Sequence, residues 1–413
     1  MRKLVLLGAV AAALWLAPGA FAAGWCGSGE TAADRPDVVT AQQIHAVVAV
    51  PSDGADTFAA DAGIVADDVA TIDSWWQSQD PTRVPRFDLA AFGASTCLDI
   101  SFVRLPDTGA TYTSVGAGGA FDRISSELGQ TGHPYKDYLV YYDGPSVQTD
   151  VCGTGGTRAF NTGLSFAVVW MQGCSGVPTA TIAAHELLHA LGAVPAGAPH
   201  ACPGDTAHVC DSNQDIMYPT VTEGTQLSSL FLDYNHDDYY GHPGSWVDIQ
   251  DSLWLHRLDV PEESLRVLLD GSGQVESDLP GLDCTASCTT QWDQGAVITV
   301  IASPASGRRF VRWSGACTGT GTCALDVKQS TTATAVFGPL RIPLRVETAG
   351  QGSVACTPRC TKTFRGGDPL TLRAVPAHGW RFGRWSGGCT GTKPTCRPST
   401  DFAVAVRATF RRR

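Results

Sequence analysis

Residues 185–192 read His-Glu-Leu-Leu-His-Ala-Leu-Gly, and the reading of this stretch decides the domain around it. If residues 181–193 form a helix, positions four apart share a face, so His185 and His189 point toward one site. Two imidazoles at that spacing suit zinc, and Glu186 then lies beside the ion without binding it. A carboxylate in that place can take a proton from an attacking water and hand it to a leaving amine, which is the chemistry of peptide-bond hydrolysis. A His-Glu-x-x-His string can also arise by accident on a solvated helix. Here Ala183, Ala184, Leu187, Leu188 and Leu191 surround the histidines, which describes a buried helix instead.

Upstream, an apolar strand is expected over 43–51 and a helix over 61–79, with further strands at 98–105, 137–142 and 164–171. Strands interleaved with an early helix and a late motif-bearing helix predict an α/β (α+β) catalytic domain over residues 23–260. Ahead of it, Arg2 and Lys3, an apolar run from Leu4 to Leu16 and the Ala20-Phe21-Ala22 cleavage pattern read as a secretory signal peptide over 1–22. That run is too short to span a bilayer, so a secreted, extracellular protein that does not span the membrane is expected.

Fourteen cysteines in an exported chain imply disulfides, and they fall evenly: six before residue 211, four from 284 to 323 and four from 356 to 396. Cys26 pairs most simply with Cys97, the alternative being a thiolate that gags the zinc. Short spacings such as Cys284-x-x-x-Cys288 leave a cysteine metal site as the competing reading of the C-terminal pairs.

The net charge of −11 conceals an asymmetry. Residues 1–270 carry 32 acidic and 11 basic side chains, while 271–413 carry 8 and 18, ending in Arg411-Arg412-Arg413. Two regions with different partners are implied. The basic third is also an internal duplication: Cys284, Cys288, Trp313 and Cys317 recur 72 residues later as Cys356, Cys360, Trp385 and Cys389. Short alternating runs broken by Gly and Pro predict two small antiparallel all-β domains, 271–339 and 340–413 with a basic tail, after a linker at 261–270. Cores this thin call for cysteine staples. The repeated Trp313 and Trp385 read as core, with carbohydrate contact as the alternative.

Two resemblances extend this reading. Gly192, three residues after His189, and the downstream Asp215-Ile216-Met217-Tyr218 make the segment similar to the metzincin metalloproteases. That resemblance implies His185 and His189 as ligands, Glu186 as general base, Gly192 as the helix-ending turn and Met217 as the residue of a Met-turn beneath the metal. It places a third ligand three residues after the Gly, where this chain has Pro195. Five residues further on stands His200, which becomes the expected third ligand; His208, Asp211 and Asp215 are its rivals, since a Cys202–Cys210 disulfide would present either histidine. Residues 271–410, with their Trp-Ser-Gly-x-Cys segments, resemble the divergent internalin-type bacterial repeat, which implies an extracellular accessory module.

The reading is therefore a secreted zinc-dependent endopeptidase with a protein or peptide substrate, whose repeats bind an anionic cell-surface polymer or carbohydrate. A non-catalytic surface-binding protein and a zinc amidase acting on cell wall are the alternatives. No nucleic-acid partner is expected. Asp211-x-Asn213-x-Asp215 and Asp233-x-Asn235-x-Asp237 have the alternating oxygens of a calcium loop but lack its sixth-position Gly, so metal-free Asx turns compete with a Ca2+ reading.

Overall fold

The computed structural model describes residues 25–27, 29–156, 160–365, 368–400 and 403–413, and the signal segment expected at 1–22 lies outside them. The chain divides into two compact units, one running to Val38 and over Gln42–Asp259, the other comprising Val39–Ala41 and Val260–Arg413. Strands dominate, and helices are confined to the first unit among the described residues.

In the first unit the elements run β1 (Gln43–Val50), α1 (Phe58–Gln79), β2 (Arg83–Pro85), β3 (Leu89–Phe92), β4 (Ser95–Leu98), β5 (Ile100–Arg104), α2 (Gly109–Ser114), α3 (Gly116–Gly129), β6 (Lys136–Tyr142), β7 (Gly153–Gly155), β8 (Phe166–Trp170), α4 (Thr179–Leu191), β9 (Ala201–Cys202), β10 (Asp205–Val209) and β11 (Leu255–Arg257). The main sheet has the order β5-β1-β6-β8-β7. Its first four strands are parallel, and β7 runs antiparallel along the β8 edge. Every residue of β1 is buried, as a parallel strand covered on both faces requires. One face packs Ala46, Val48 and Val50 against Val65 and Val69 of α1 and Leu187 and Leu191 of α4. The other packs Val47 and Ala49 against Ala120, Ile124 and Leu128 of α3. Helix α3 is absent from the sequence expectations because its glycines weaken the helical signal, although Ala117, Ala120, Ile124 and Leu128 keep a helical stripe.

The second unit holds two similar β-sandwiches. The first contains β12 (Glu262–Asp270), β13 (Gly273–Ser277), β14 (Asp283–Cys284), β15 (Cys288–Asp293), β16 (Ala296–Pro304), β17 (Arg308–Gly315), β18 (Cys323–Val327) and β19 (Thr331–Pro339), in sheets ordered β15-β12-β19-β17 and β14-β13-β16-β18. The second contains β20 (Arg341–Ala349), β21 (Gly352–Thr357), β22 (Thr363–Arg365), β23 (Thr371–Pro376), β24 (Trp380–Gly387), β25 (Thr395–Cys396) and β26 (Val404–Arg412), ordered β22-β20-β26-β24 and β21-β23-β25.

Three expectations change here. The linker expected at 261–270 is the strand β12, whose Leu265 and Val267 are fully buried between β15 and β19. Its alternation of charged and apolar residues is the half-buried pattern of a sheet strand. The repeats are not wholly antiparallel, because β12 pairs parallel with β19 and β20 with β26. The basic tail is not loose either: Arg411 and Arg412 belong to β26, and the Arg412 guanidinium lies 5.8 Å from the Trp380 ring centre.

All fourteen cysteines are paired, including Cys26–Cys97 and Cys202–Cys210. Seven disulfides suit an extracellular protein, and no described helix is long and apolar enough to cross a membrane. Cys284–Cys288 joins β14 of one sheet to β15 of the other, and Cys317–Cys323 closes the connection from β17 to β18, so the bridges tie the two layers where the chain crosses. Trp313 and Trp385 are core residues, each 2% exposed, and their indole N–H groups donate to the carbonyls of Gly321 and Lys393. Replacing Leu265 by Ala should lower the stability of this unit by about 2–5 kcal/mol, read as the shift of its urea midpoint; a midpoint within error of wild type would return residues 261–270 to a linker.

Candidate metal centre

Helix α4 starts after Pro178 and ends at Gly192, whose φ of 95° is the left-handed C-terminal turn that favours glycine. Its apolar residues join the core beneath the sheet, which leaves His185, Glu186 and His189 on the wall of a cleft of about 840 Å³ or just inside it. The approach of β7 sets their depth. A Cβ on Gly155 would overlap His189 Cβ and lie 2.7 Å from the Glu186 carbonyl oxygen, and one on Gly153 would lie 2.5 Å from Glu186 Oε1. Glycine alone fits at both positions.

The third histidine is His208, and this corrects the expectation for His200. His185 Nε2 lies 3.3 Å from His208 Nε2 and 3.2 Å from His189 Nε2. His200 lies elsewhere, its backbone N–H donating to Asp238 Oδ1 at 2.8 Å and its Nδ1 3.0 Å from Asp238 Oδ2. The chain from Pro195 to His200 is a pair of turns, and a β-hairpin follows it. Strands β9 and β10 pair with an irregular register, Cys202–Cys210 closes them, and the return strand carries His208 back to the helix. Asp238 holds His200 away from the other two histidines; burial acts to lower its pKa, but the hydrogen bond and charge of Asp238, with the charges of Asp237 and Asp211, raise it overall.

Each outer imidazole is oriented through its other nitrogen. His185 Nδ1 donates to the Ile216 carbonyl at 2.5 Å, and His208 Nδ1 lies 2.9 Å from Asp205 Oδ2. Such partners fix the tautomer and leave Nε2 with its lone pair. Met217, fully buried in the α4 core, lies in the turn closed by the Tyr218 N–H to Asp215 carbonyl bond, and its own carbonyl accepts from Val209, the neighbour of His208. The turn therefore braces both His185 and the hairpin. His189 Nδ1 is buried without a hydrogen-bond partner among the described residues. Burial pushes His185 down to about 4 and His189 well below its usual range, which keeps both neutral at pH 7. Burial pushes Glu186 up to about 8, against a hydrogen bond from the Gly155 backbone.

The donor set fits zinc. A tetrahedral ion with Zn–N bonds of about 2.05 Å holds its nitrogens ~3.3 Å apart, which matches the two imidazole separations. A second cluster, His45 with Asp34, Asp88 and Asp99, is satisfied without an ion, because Lys136 Nζ lies 2.6 Å from Asp88 and 2.8 Å from Asp34. The carboxylates of each Asp/Asn string are divided between different partners. Asp215 accepts from Met217, Tyr234 and Tyr239, and Asp233 Oδ2 accepts from the backbone of residues 238, 239 and 240. Asp211 and Asp237 instead approach His200 and Asp238. Sequence reading missed Asp205, three residues before His208, and the glycines of β7, whose Gly-Thr-Gly-Gly run at 153–156 was the available signal.

Residues 280–339 and 342–413 match the family described as the divergent InlB B-repeat domain. A search of curated proteins returns no match. Among solved structures, OgpA from Akkermansia muciniphila aligns in two crystal forms, at 11% and 10% identity, covering 90% and 91% of this chain and 98% and 97% of that one. The TM-score is 0.26 in both, too low to bear on fold or activity.

With folding checked by circular dichroism, His208→Ala should lose zinc on dialysis while His200→Ala keeps one ion per chain, as measured by elemental analysis; the reverse result would restore His200. Gly155→Ala should also lower zinc affinity by roughly tenfold or more by displacing His189, and an unchanged affinity would show that β7 can retreat.

Proposed function

We propose that this chain is an exported zinc-dependent endopeptidase. The observation that carries the reading is the convergence of three imidazole Nε2 atoms, from His185, His189 and His208, on a cleft wall beside the carboxylate of Glu186. Zinc bound by these nitrogens would supply Lewis acidity toward a carbonyl oxygen, make water more acidic and offset the charge of Glu186. The chain's own residues do the rest. Glu186 takes the proton of the attacking water at a carboxylate oxygen and passes it to the leaving nitrogen. Gly153 leaves room for that carboxylate, and the Gly155 amide orients it.

A peptide substrate is favoured by β7, the edge strand of the main sheet, which among the described residues has β8 as its one strand partner. Its outer backbone groups can take an extended peptide as a further strand, with Gly153 on the cleft wall. A cell-wall amidase shares the metal chemistry without using that edge. The repeats, with their balance of basic over acidic residues, are proposed as modules that hold the enzyme to an anionic surface.

The zinc-loaded protein should cleave casein, lose activity to phenanthroline and regain it with zinc. Glu186→Gln should keep its zinc and lose about 100-fold to 10,000-fold in kcat. Near wild-type turnover in that variant would remove Glu186 from the mechanism, and a zinc-loaded wild type that cleaves no peptide would remove the peptidase reading.

A further inference from the structure

The basic excess of this chain belongs to the second repeat alone. Residues 340–413 hold 14 Lys and Arg against three Asp and Glu, whereas residues 271–339 hold four against five. Six of these cations are arginines on one face of one sheet. The apolar residues of β20, β26 and β24 turn inward around Trp385 and Phe410. The alternate positions, Arg341 and Arg345 of β20, Arg407 and Arg411 of β26, and Arg381 and Arg384 of β24, are exposed on the other side. Strand β26 lies between the other two.

The register brings like charges together. Arg381 stands directly opposite Arg411, and Arg384 stands opposite Thr409 beside it. Residues opposite each other on one face come within about 5.5 Å at Cβ, and like charges there are unfavourable. Glu347 is the one carboxylate on these three strands; it lies beside Arg407 in the ladder and is ion-paired with Arg345 at 2.8 Å. The remaining acids of the repeat are Asp368, in a bend after β22, and Asp401, outside the described residues. With both counted in full, the large positive excess stands.

The first repeat shows what differs. Its ladder sets Gly338 opposite Arg309 and Thr334 opposite Ser314, where the second repeat sets Arg411 opposite Arg381 and Arg407 opposite Ser386. The bulge residue changes with them. In β17 it is Val311, whose Cγ2 would lie 2.9 Å from a Cβ on Gly338. In β24 it is Gly383, and the Arg411 stem lies over it, with Cγ and Nε 3.6 Å from where a Cβ would stand. Valine over glycine has become arginine over glycine, so the backbone of the second repeat makes room for the added charge.

We propose that this arginine face binds a linear acidic polysaccharide through its sulfate or carboxylate groups. The inference rests on the reading of the repeats as surface-holding modules, and it gives that role to the second repeat. Arginine's planar fork takes an oxyanion through two parallel hydrogen bonds, and all six cations are arginine. Arg407 and Arg411 are about 13 Å apart along an extended strand, so a chain of anionic groups spans them and a single small anion does not. The Thr409 and Ser386 hydroxyls share the face and suit sugar hydroxyls. Phe382, Trp385 and Phe410 belong to the core, which leaves these three strands no aromatic ring on this face for base stacking and no large apolar side chain to enter lipid.

The test uses the full chain, with folding checked by circular dichroism, and a heparin oligosaccharide of defined length at about 0.15 M salt. Arg407→Thr, Arg411→Gly and Gly383→Val together install the residues of the first repeat and should weaken binding at least about tenfold. Arg407→Gln with Arg411→Gln, which leaves Gly383 in place, should weaken it to a similar degree. Arg373→Gln with Lys393→Gln removes the same charge from β23 and a loop, and should stay within about twofold of wild type. Thr334→Arg, Gly338→Arg and Val311→Gly, the converse change in the first repeat, should tighten binding. Equal losses in the charge-matched variants, or tighter binding to phosphatidylglycerol–phosphatidylcholine vesicles than to heparin, overturn the assignment and leave the surface-holding reading standing. A wild type that binds neither heparin nor vesicles removes both.

Discussion

Helix α4 and strand β7 approach too closely for any side chain to stand between them, and the site depends on that approach. Gly153 and Gly155 are the cost of the contact, since glycine strands pack little of their own. In return the helix is pressed against the sheet at a depth that puts Glu186 and His189 at the inner edge of a cleft instead of on open surface. The other parts are built outward from there. The turn at Asp215–Tyr218 braces His185 through the Ile216 carbonyl, and through Val209 it fixes the hairpin that brings His208.

Two histidine clusters in the same unit show why one is a candidate metal centre and the other is not. At His45 every nitrogen meets a complementary group: Nδ1 faces Asp88, Nε2 faces the Ser101 hydroxyl, and Lys136 neutralises the carboxylates around it. Burial disfavours the Lys136 ammonium, but Asp88, Asp37 and Asp34 together hold it firmly charged. That network is closed. At His185, His189 and His208 three ring nitrogens face one another, and two of the rings are neutral at pH 7. Lone pairs turned toward a common centre repel unless a cation stands between them, which is the electrostatic difference between a folded ion pair and a ligand set.

Helix α1, the four strands β1, β5, β6 and β8 and the motif helix were legible because continuous apolar runs and the 3.6-residue period act over consecutive residues; the parallel pairing of those strands was not. The duplication was legible because cysteine and tryptophan spacing survives wherever the chain folds. His208 was not. Choosing between His200 and His208 depended on whether the seven residues between Cys202 and Cys210 form a loop or a hairpin, and that is set by cross-strand pairing and by Asp238, 38 residues beyond His200. Strand β12 was hidden for a related reason. Its Pro-Glu-Glu-Ser start and Gly-Ser-Gly end resemble linker punctuation, and the strands that bury Leu265 and Val267 lie on either side of it, more than twenty residues away along the chain.

The parallel pairing of the first and last strands in each repeat gives these modules a mechanical character. Leu265–Asp270 runs beside Thr331–Val336, and Leu344–Ala349 beside Val404–Thr409, so the chain enters each ladder at one end and leaves at the other. Tension applied along the chain drags the two strands past each other lengthwise. The backbone hydrogen bonds of the ladder then share the load and must fail together, whereas a hairpin pulled from its open end would peel apart one bond at a time. A repeat wired in this way is a tether that resists being drawn out, whatever it is fastened to.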